Sequence, residues 1–231
     1  MPSKWCGQIE IMLDKIELLR SETNDYSVLI VWLHGLGAPA EDFKFLADNM
    51  SLPEHLGVKF ILPQAPAQSV TLNGGMVMPA WYDIVGLDRN APQDIDGALC
   101  SLQEIESIIQ SEIHNASRSV KVFLGGFSQG GALALLIATR TSHNLAGVIC
   151  CSGYLLQDAT PATNQIQKRK PPIFICHGEE DDVVKKEWGF KAYNDLKHQG
   201  FEVEWRSYAH LGHSVSPTEL NDISKFLTPK L

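Results

Sequence analysis

The residues best suited to chemistry lie in the run Gly125-Gly126-Phe127-Ser128-Gln129-Gly130-Gly131. A strand-like stretch, Val120 to Leu124, precedes them and an apolar stretch, Ala132 to Ala138, follows. A serine held between strand and helix in this G-x-S-x-G setting reads as a nucleophile elbow. Such a turn strains the serine backbone and brings the residues two before and two after it close together. Both places therefore need glycine, and Gly126 and Gly130 occupy them. The pattern is short enough to arise by chance in a loop, but the flanking strand, buried helix and doubled glycines argue against that here.

A serine hydroxyl alone is a weak nucleophile. It needs a histidine to take its proton and a carboxylate to fix that histidine's tautomer, in the chain order serine, acid, histidine. After Ser128, the strand-like run Pro172 to Cys176 leads into His177-Gly178-Glu179-Glu180-Asp181-Asp182-Val183-Val184, which offers four carboxylates. Glu179 and Glu180 fit a solvated turn, and spacing alone leaves Asp181 and Asp182 equal.

The base should follow the last strand, where His210 and His213 are both available. His213 is favoured because it stands behind Gly212 and three residues before Ser216, a helix cap. His143 and His198 sit among polar residues, as solvated side chains do. His34 and His177 each close a strand ahead of a glycine and read as imidazoles satisfied by nearby backbone. An acyl-transfer site also needs amide donors for an oxyanion. The Gln129 amide supplies one, and Leu36 in His34-Gly35-Leu36-Gly37 supplies the other.

The elements that must position these groups alternate in type. Strand-like runs at Ser27 to Leu33, Val58 to Leu62, Val120 to Leu124, Leu145 to Cys151, Pro172 to Cys176 and Phe201 to Tyr208 have helical patterns between them. This alternation predicts an α/β fold with a mostly parallel central sheet and helices on both faces. Ile95, Ala98, Leu99, Leu102, Ile105, Ile108 and Ile109 recur at helical spacing. Ser216-Pro217-Thr218-Glu219 is a capping-box start for a last helix. The opening, Gly7 to Arg20, has no clean period and is expected to form a strand or hairpin.

At 231 residues and 44% hydrophobic content, the chain is expected to fold as a single domain, 1–231. Its longest apolar stretch, Gly130 to Ala138, is too short to cross a bilayer, and charged residues between Met1 and Arg20 interrupt the apolar run a signal peptide needs. A soluble, cytoplasmic protein without stable membrane insertion is expected. The net charge of −8 argues against nucleic-acid binding, the one basic cluster being Lys168-Arg169-Lys170. Cys6, Cys100, Cys150, Cys151 and Cys176 are odd in number and lack C-x-x-C spacing, as suits reduced core thiols rather than disulfides or a metal site.

With these residues assembled, the chain resembles the phospholipase/carboxylesterase family, which includes acyl-protein thioesterases and lysophospholipase-like esterases. The likeness runs from Ile30 to Phe226. It is carried by Leu33-His34-Gly35-Leu36-Gly37, Pro63-Gln64-Ala65-Pro66, Val70-Thr71-Leu72-Asn73, Met78-Pro79-Ala80-Trp81-Tyr82-Asp83-Ile84, Gly125 to Leu133, Leu145-Ala146-Gly147-Val148 and Cys176-His177-Gly178.

The resemblance implies the α/β-hydrolase fold, Asp181 as the acid through the pattern His-Gly-x-x-Asp-x-x-Val, His213 as the base, and Leu36 and Gln129 as oxyanion donors. It also places Val70 to Ile84 over the active site, with Leu72, Met76, Met78 and Trp81 as an acyl-binding wall; packing on the sheet is an open alternative for Trp81. Ala38-Pro39-Ala40 departs from the family's usual Asp-x-Gly. The expected activity is hydrolysis of carboxylic esters or thioesters, without metal or cofactor. The expected substrate is a small-molecule or lipid ester or an S-acylated protein. A binding module that has lost catalysis is the competing reading, against which stands the retention of serine, acid and histidine together.

Overall fold

A computed structural model of the chain describes residues 13–231 except 24, 87, 89–90 and 158–168. Cys6, Lys168 and the first part of the opening segment lie outside the described residues.

A seven-stranded sheet organises the molecule. It contains β1 (Lys15–Arg20), β2 (Val28–Leu33), β3 (Val58–Pro63), β6 (Lys121–Phe127), β7 (Leu145–Cys151), β8 (Ile173–Gly178) and β9 (Val203–Tyr208). The spatial order is β1-β3-β2-β6-β7-β8-β9. All neighbours are parallel except β1, which pairs antiparallel with β3 and closes that edge. The strands predicted from sequence are all present, and the second half of the opening segment is β1. A separate two-stranded hairpin, β4 (Ala67–Val70) with β5 (Met76–Pro79), was not foreseen as strand. The helices are α1 (Phe45–Asn49), α2 (Ile95–Asn115), α3 (Gln129–Arg140), α4 (Lys186–His198) and α5 (Pro217–Leu227).

Every residue of β2 is buried because the sheet is covered on both sides. Leu29, Val31 and Leu33 join one core with α2, α3 and α4; Val28, Ile30 and Trp32 join a second core with α1 and α5. The two-residue alternation of a strand thus feeds both layers. α3 is apolar on nearly every side and is buried along almost its whole length. α5 starts as its sequence predicts: the Ser216 side chain accepts from the Glu219 amide, and the Glu219 side chain accepts from the Ser216 amide.

α2 is fastened to the sheet edge by a charged clasp. The buried Glu112 carboxylate pairs with Lys15 of β1 at 2.5 Å and Lys59 of β3 at 2.7 Å. The lysines keep partial exposure, so desolvation is incomplete and the clasp stabilises less than a fully buried pair. Replacing Glu112 by Gln is expected to lower unfolding free energy by about 1–3 kcal/mol, read from urea denaturation with an unchanged slope.

Candidate active site

All the groups singled out for chemistry stand at the carboxyl ends of parallel strands, where open α/β sheets place their ligands. Ser128 follows β6, Asp181 follows β8, His213 follows β9 and Leu36 follows β2.

Ser128 has φ 54° and ψ −118°, a conformation that non-glycine residues rarely adopt. Its neighbours show why the turn needs glycine. A Cβ on Gly126 would lie 2.4 Å from the Gly130 backbone, and one on Gly130 would lie 2.3 Å from the Leu33 carbonyl oxygen. The Ser128 amide donates to the Cys151 carbonyl at 2.8 Å, anchoring the strained residue to β7. His213 Nε2 lies 2.9 Å from Ser128 Oγ, and its Nδ1 lies 2.7 Å from Asp181 Oδ2.

Asp181 is buried while Asp182 is exposed, so the geometry separates two residues that spacing left equal. The second oxygen of Asp181 accepts from the Val183 and Val184 amides at 3.0 and 2.9 Å. These two bonds fix the orientation of the carboxylate. His210 points away: its side chain is exposed and pairs with Glu180.

The amide of Leu36 belongs to the peptide whose carbonyl, on Gly35, lies 2.8 Å from His34 Nδ1. His34 Nε2 accepts from the Ala65 amide at 2.9 Å, so the proton sits on Nδ1 and donates to Gly35. Burial pushes the His34 pKa down and keeps the ring neutral. In a trans peptide the N–H points opposite the carbonyl, so this bond sets the direction of the Leu36 amide. No hydrogen bond among the described residues engages that amide. At the rim, Gly37 donates to Pro79 at 2.8 Å and Ala40 donates to Gln64 at 2.8 Å, tying the Ala38-Pro39-Ala40 variant to the hairpin and to the end of β3.

A cavity of about 730 Å³ opens over Ser128. Leu72 is among its lining residues. The rest of the expected wall needs correction. Trp81 is 1% exposed, with its indole N–H donating to the His34 carbonyl at 2.8 Å, and belongs to the core beneath the site. Met76 is 63% exposed on the hairpin, and Met78 packs by Gly37; neither lines the cavity. Both side chains belong to β5 of the hairpin, an element hidden while the segment was read as an irregular wall. Tyr82, Tyr154, Leu155, Leu156, Val183 and Trp188 form the wall instead. Tyr82 lies within the segment read as the wall, Tyr154 to Leu156 follow β7, Val183 sits in the acid loop and Trp188 is on α4.

Gln129 is buried, and its side chain accepts from the Trp81 amide and donates to the Tyr82 carbonyl, fixing that part of the wall. Cys151, Cys176 and Glu219 form the one group of three metal-ligating side chains among the described residues. Burial pushes the Cys176 thiol well up and raises the Glu219 carboxyl.

The comparisons agree with this architecture. A family model described as phospholipase/carboxylesterase matches residues 15–231. An acyl-protein thioesterase 1 homologue from Dictyostelium discoideum is 34% identical over 219 residues, covering 94% of this chain and 96% of that protein. The crystal structure of Zea mays acyl-protein thioesterase 2 superposes with a TM-score of 0.80 at 30% identity, covering 94% of this chain and 98% of that one. The Bacillus cereus carboxylesterase shares the fold, with a TM-score of 0.74 at 16% identity and 96% of each chain covered. Fold and relatives together define a serine hydrolase of carboxylic esters or thioesters with the α/β-hydrolase fold. The chain belongs to the phospholipase/carboxylesterase family.

The separation of the two aspartates yields a direct test. Asp181→Asn is expected to lower kcat by about 10⁴, by analogy with a serine protease that loses its orienting carboxylate. Asp182→Asn should leave kcat unchanged, and steady-state kinetics on one activated ester compares the two.

Proposed function

We propose that Ser128, His213 and Asp181 form the catalytic triad of this hydrolase, and that it removes fatty acyl groups from lipid esters or S-acylated proteins. The observation that carries the reading is the hydrogen-bonded series from Ser128 through His213 to the buried Asp181, placed on the floor of an apolar cavity. Ser128 Oγ attacks the acyl carbonyl while His213 Nε2 takes its proton. The amides of Leu36 and Gln129 receive the developing oxyanion. His213 then protonates the departing alcohol or thiol, and the acyl-enzyme is cleared by water activated at the same nitrogen. No step draws on a metal or cofactor.

The lining supports an acyl chain rather than a polar group, since Leu72, Leu155, Leu156, Val183 and Trp188 present mostly hydrocarbon. The names of the thioesterase relatives extend the substrate class to S-acylated proteins. We read the chain as one domain acting in the cytoplasm. Support comes from a net charge of −8, unfavourable for nucleic acid, and from buried free thiols at Cys150, Cys151 and Cys176. No helix among the described residues is long and apolar enough to cross a membrane.

A fluorophosphonate probe tests the nucleophile. Wild-type protein is expected to be labelled and Ser128→Ala is not; labelling that persists in Ser128→Ala removes the assignment. Chain preference is read from para-nitrophenyl esters of increasing length below their micelle concentrations. Each buried methylene contributes at most about 0.8 kcal/mol, so kcat/KM should rise one or two orders of magnitude over a few carbons before levelling. Trp188→Ala should flatten that rise. Trp81→Ala should instead lower stability, as loss of a buried indole does.

A further inference from the structure

The buried arrangement around Asp181 extends beyond its pairing with His213. On the far side of Oδ2 stands His177, whose Nε2 is 3.3 Å from that oxygen and 2.7 Å from the Val184 carbonyl oxygen. A carbonyl can only accept, so the proton of the imidazole resides on Nε2 and Nδ1 is bare. His177 is fully buried, and burial pushes its pKa down, so the ring is neutral and its contact with Asp181 is not an ion pair. Nδ1 has no hydrogen-bond partner among the described residues. It faces Gly189 of α4, where a Cβ would stand 2.4 Å away. The helix thus packs against the back of the ring and leaves its single N–H directed at the acid loop.

We infer that His177 is a positioning residue for the acid of the triad, holding Val184 by its carbonyl with Nε2 standing 3.3 Å from Asp181 Oδ2. The inference rests on the reading of Asp181 as that acid. The loop Asp181 to Val184 is closed on itself by the two amides that Asp181 Oδ1 accepts, which fix the loop's shape but not its attachment to the sheet. His177 is the last-but-one residue of β8, and its hydrogen bond fastens the Val184 end of the loop to that strand. The Asp181 carboxylate is thereby confined to the orientation in which Oδ2 meets His213 Nδ1.

The same contact has an electrostatic consequence. The positive end of the His177 N–H bond lies beside Oδ2 and draws charge away from His213. Without it, Oδ2 stabilises the His213 imidazolium more strongly, and the acid limb of the pH–rate profile moves to higher pH. The charged or titratable groups facing His177 are Asp181, His213 and Glu187 of α4. From β9 it meets the uncharged Trp205 ring, at 6.3 Å between centroids.

Two amide variants separate reach from polarity. His177→Gln places its nitrogen near the position of Nε2, whereas His177→Asn places it near Nδ1, out of reach of the Val184 carbonyl. His177→Asn is expected to lower kcat roughly 10- to 100-fold, the loss of one hydrogen bond in a charged network, with KM little changed and the acid limb shifted upward. His177→Gln should retain most of kcat and an unshifted limb. If urea denaturation shows His177→Asn unfolded, His177→Leu replaces it with the same expectation. Asp181→Asn is measured in parallel. If it leaves kcat intact, the acid itself is misassigned. If it collapses kcat while the two His177 variants both match wild type, or fall equally with an unshifted limb, His177 has no positioning role.

Discussion

The site depends on one backbone contact, the near-touching of Gly130 and the carbonyls that end β2. At that point α3 begins, β6 ends and β2 passes alongside, with no room for a single side-chain carbon. The approach drives Ser128 into its positive-φ conformation and sets the start of α3 under the cavity. The strain, about 1–3 kcal/mol for such a residue, is offset by the burial of α3 and by the Ser128–Cys151 backbone bond. Every other participant is arranged relative to this fixed point.

The acid and the base arrive on loops of different construction. Asp181 closes a tight turn through its own Oδ1, so the side chain that works is also the one that shapes its loop. His213 lies in a segment pinned just downstream by the capping box of α5. The base is held by a helix start and the acid by a turn, and they follow parallel strands that lie three and two places, respectively, from the strand of the nucleophile. The sheet serves as the common ruler.

Much of this was legible in the sequence because the informative features are local. The glycines around Ser128, the cap at Ser216 and the alternation of strand and helix each constrain the backbone within a few residues. The choice between Asp181 and Asp182 was not local: it depends on which carboxylate turns inward, and family resemblance supplied it where spacing did not. The wall was the least legible part. Val70 to Ile84 is apolar in composition, but part of it forms a hairpin that leaves Met76 and Val77 exposed, while the chain beyond it buries Trp81 under the loop after β2. Leu72 and Tyr82 of that segment line the cavity together with residues from β7's exit, the acid loop and α4, far apart in sequence and united only by the fold. His177 shows the same limit: an imidazole before a glycine reads as satisfied by backbone, as its bond to the Val184 carbonyl is, but only the fold places its ring beside Asp181.

Gln129 joins two kinds of duty in one residue. Its backbone faces the reacting centre at the start of α3, while its side chain reaches across to Trp81 and Tyr82 of the cavity wall. The amide is indifferent to which side chain the residue carries, but the wall is not. Change at this position therefore reshapes the pocket without removing the donor, and the same holds for Leu36, whose direction is set by His34 rather than by its own side chain. A family built this way can diversify what it accepts by drift at residues adjoining the nucleophile, with the chemistry carried along unaltered in the main chain.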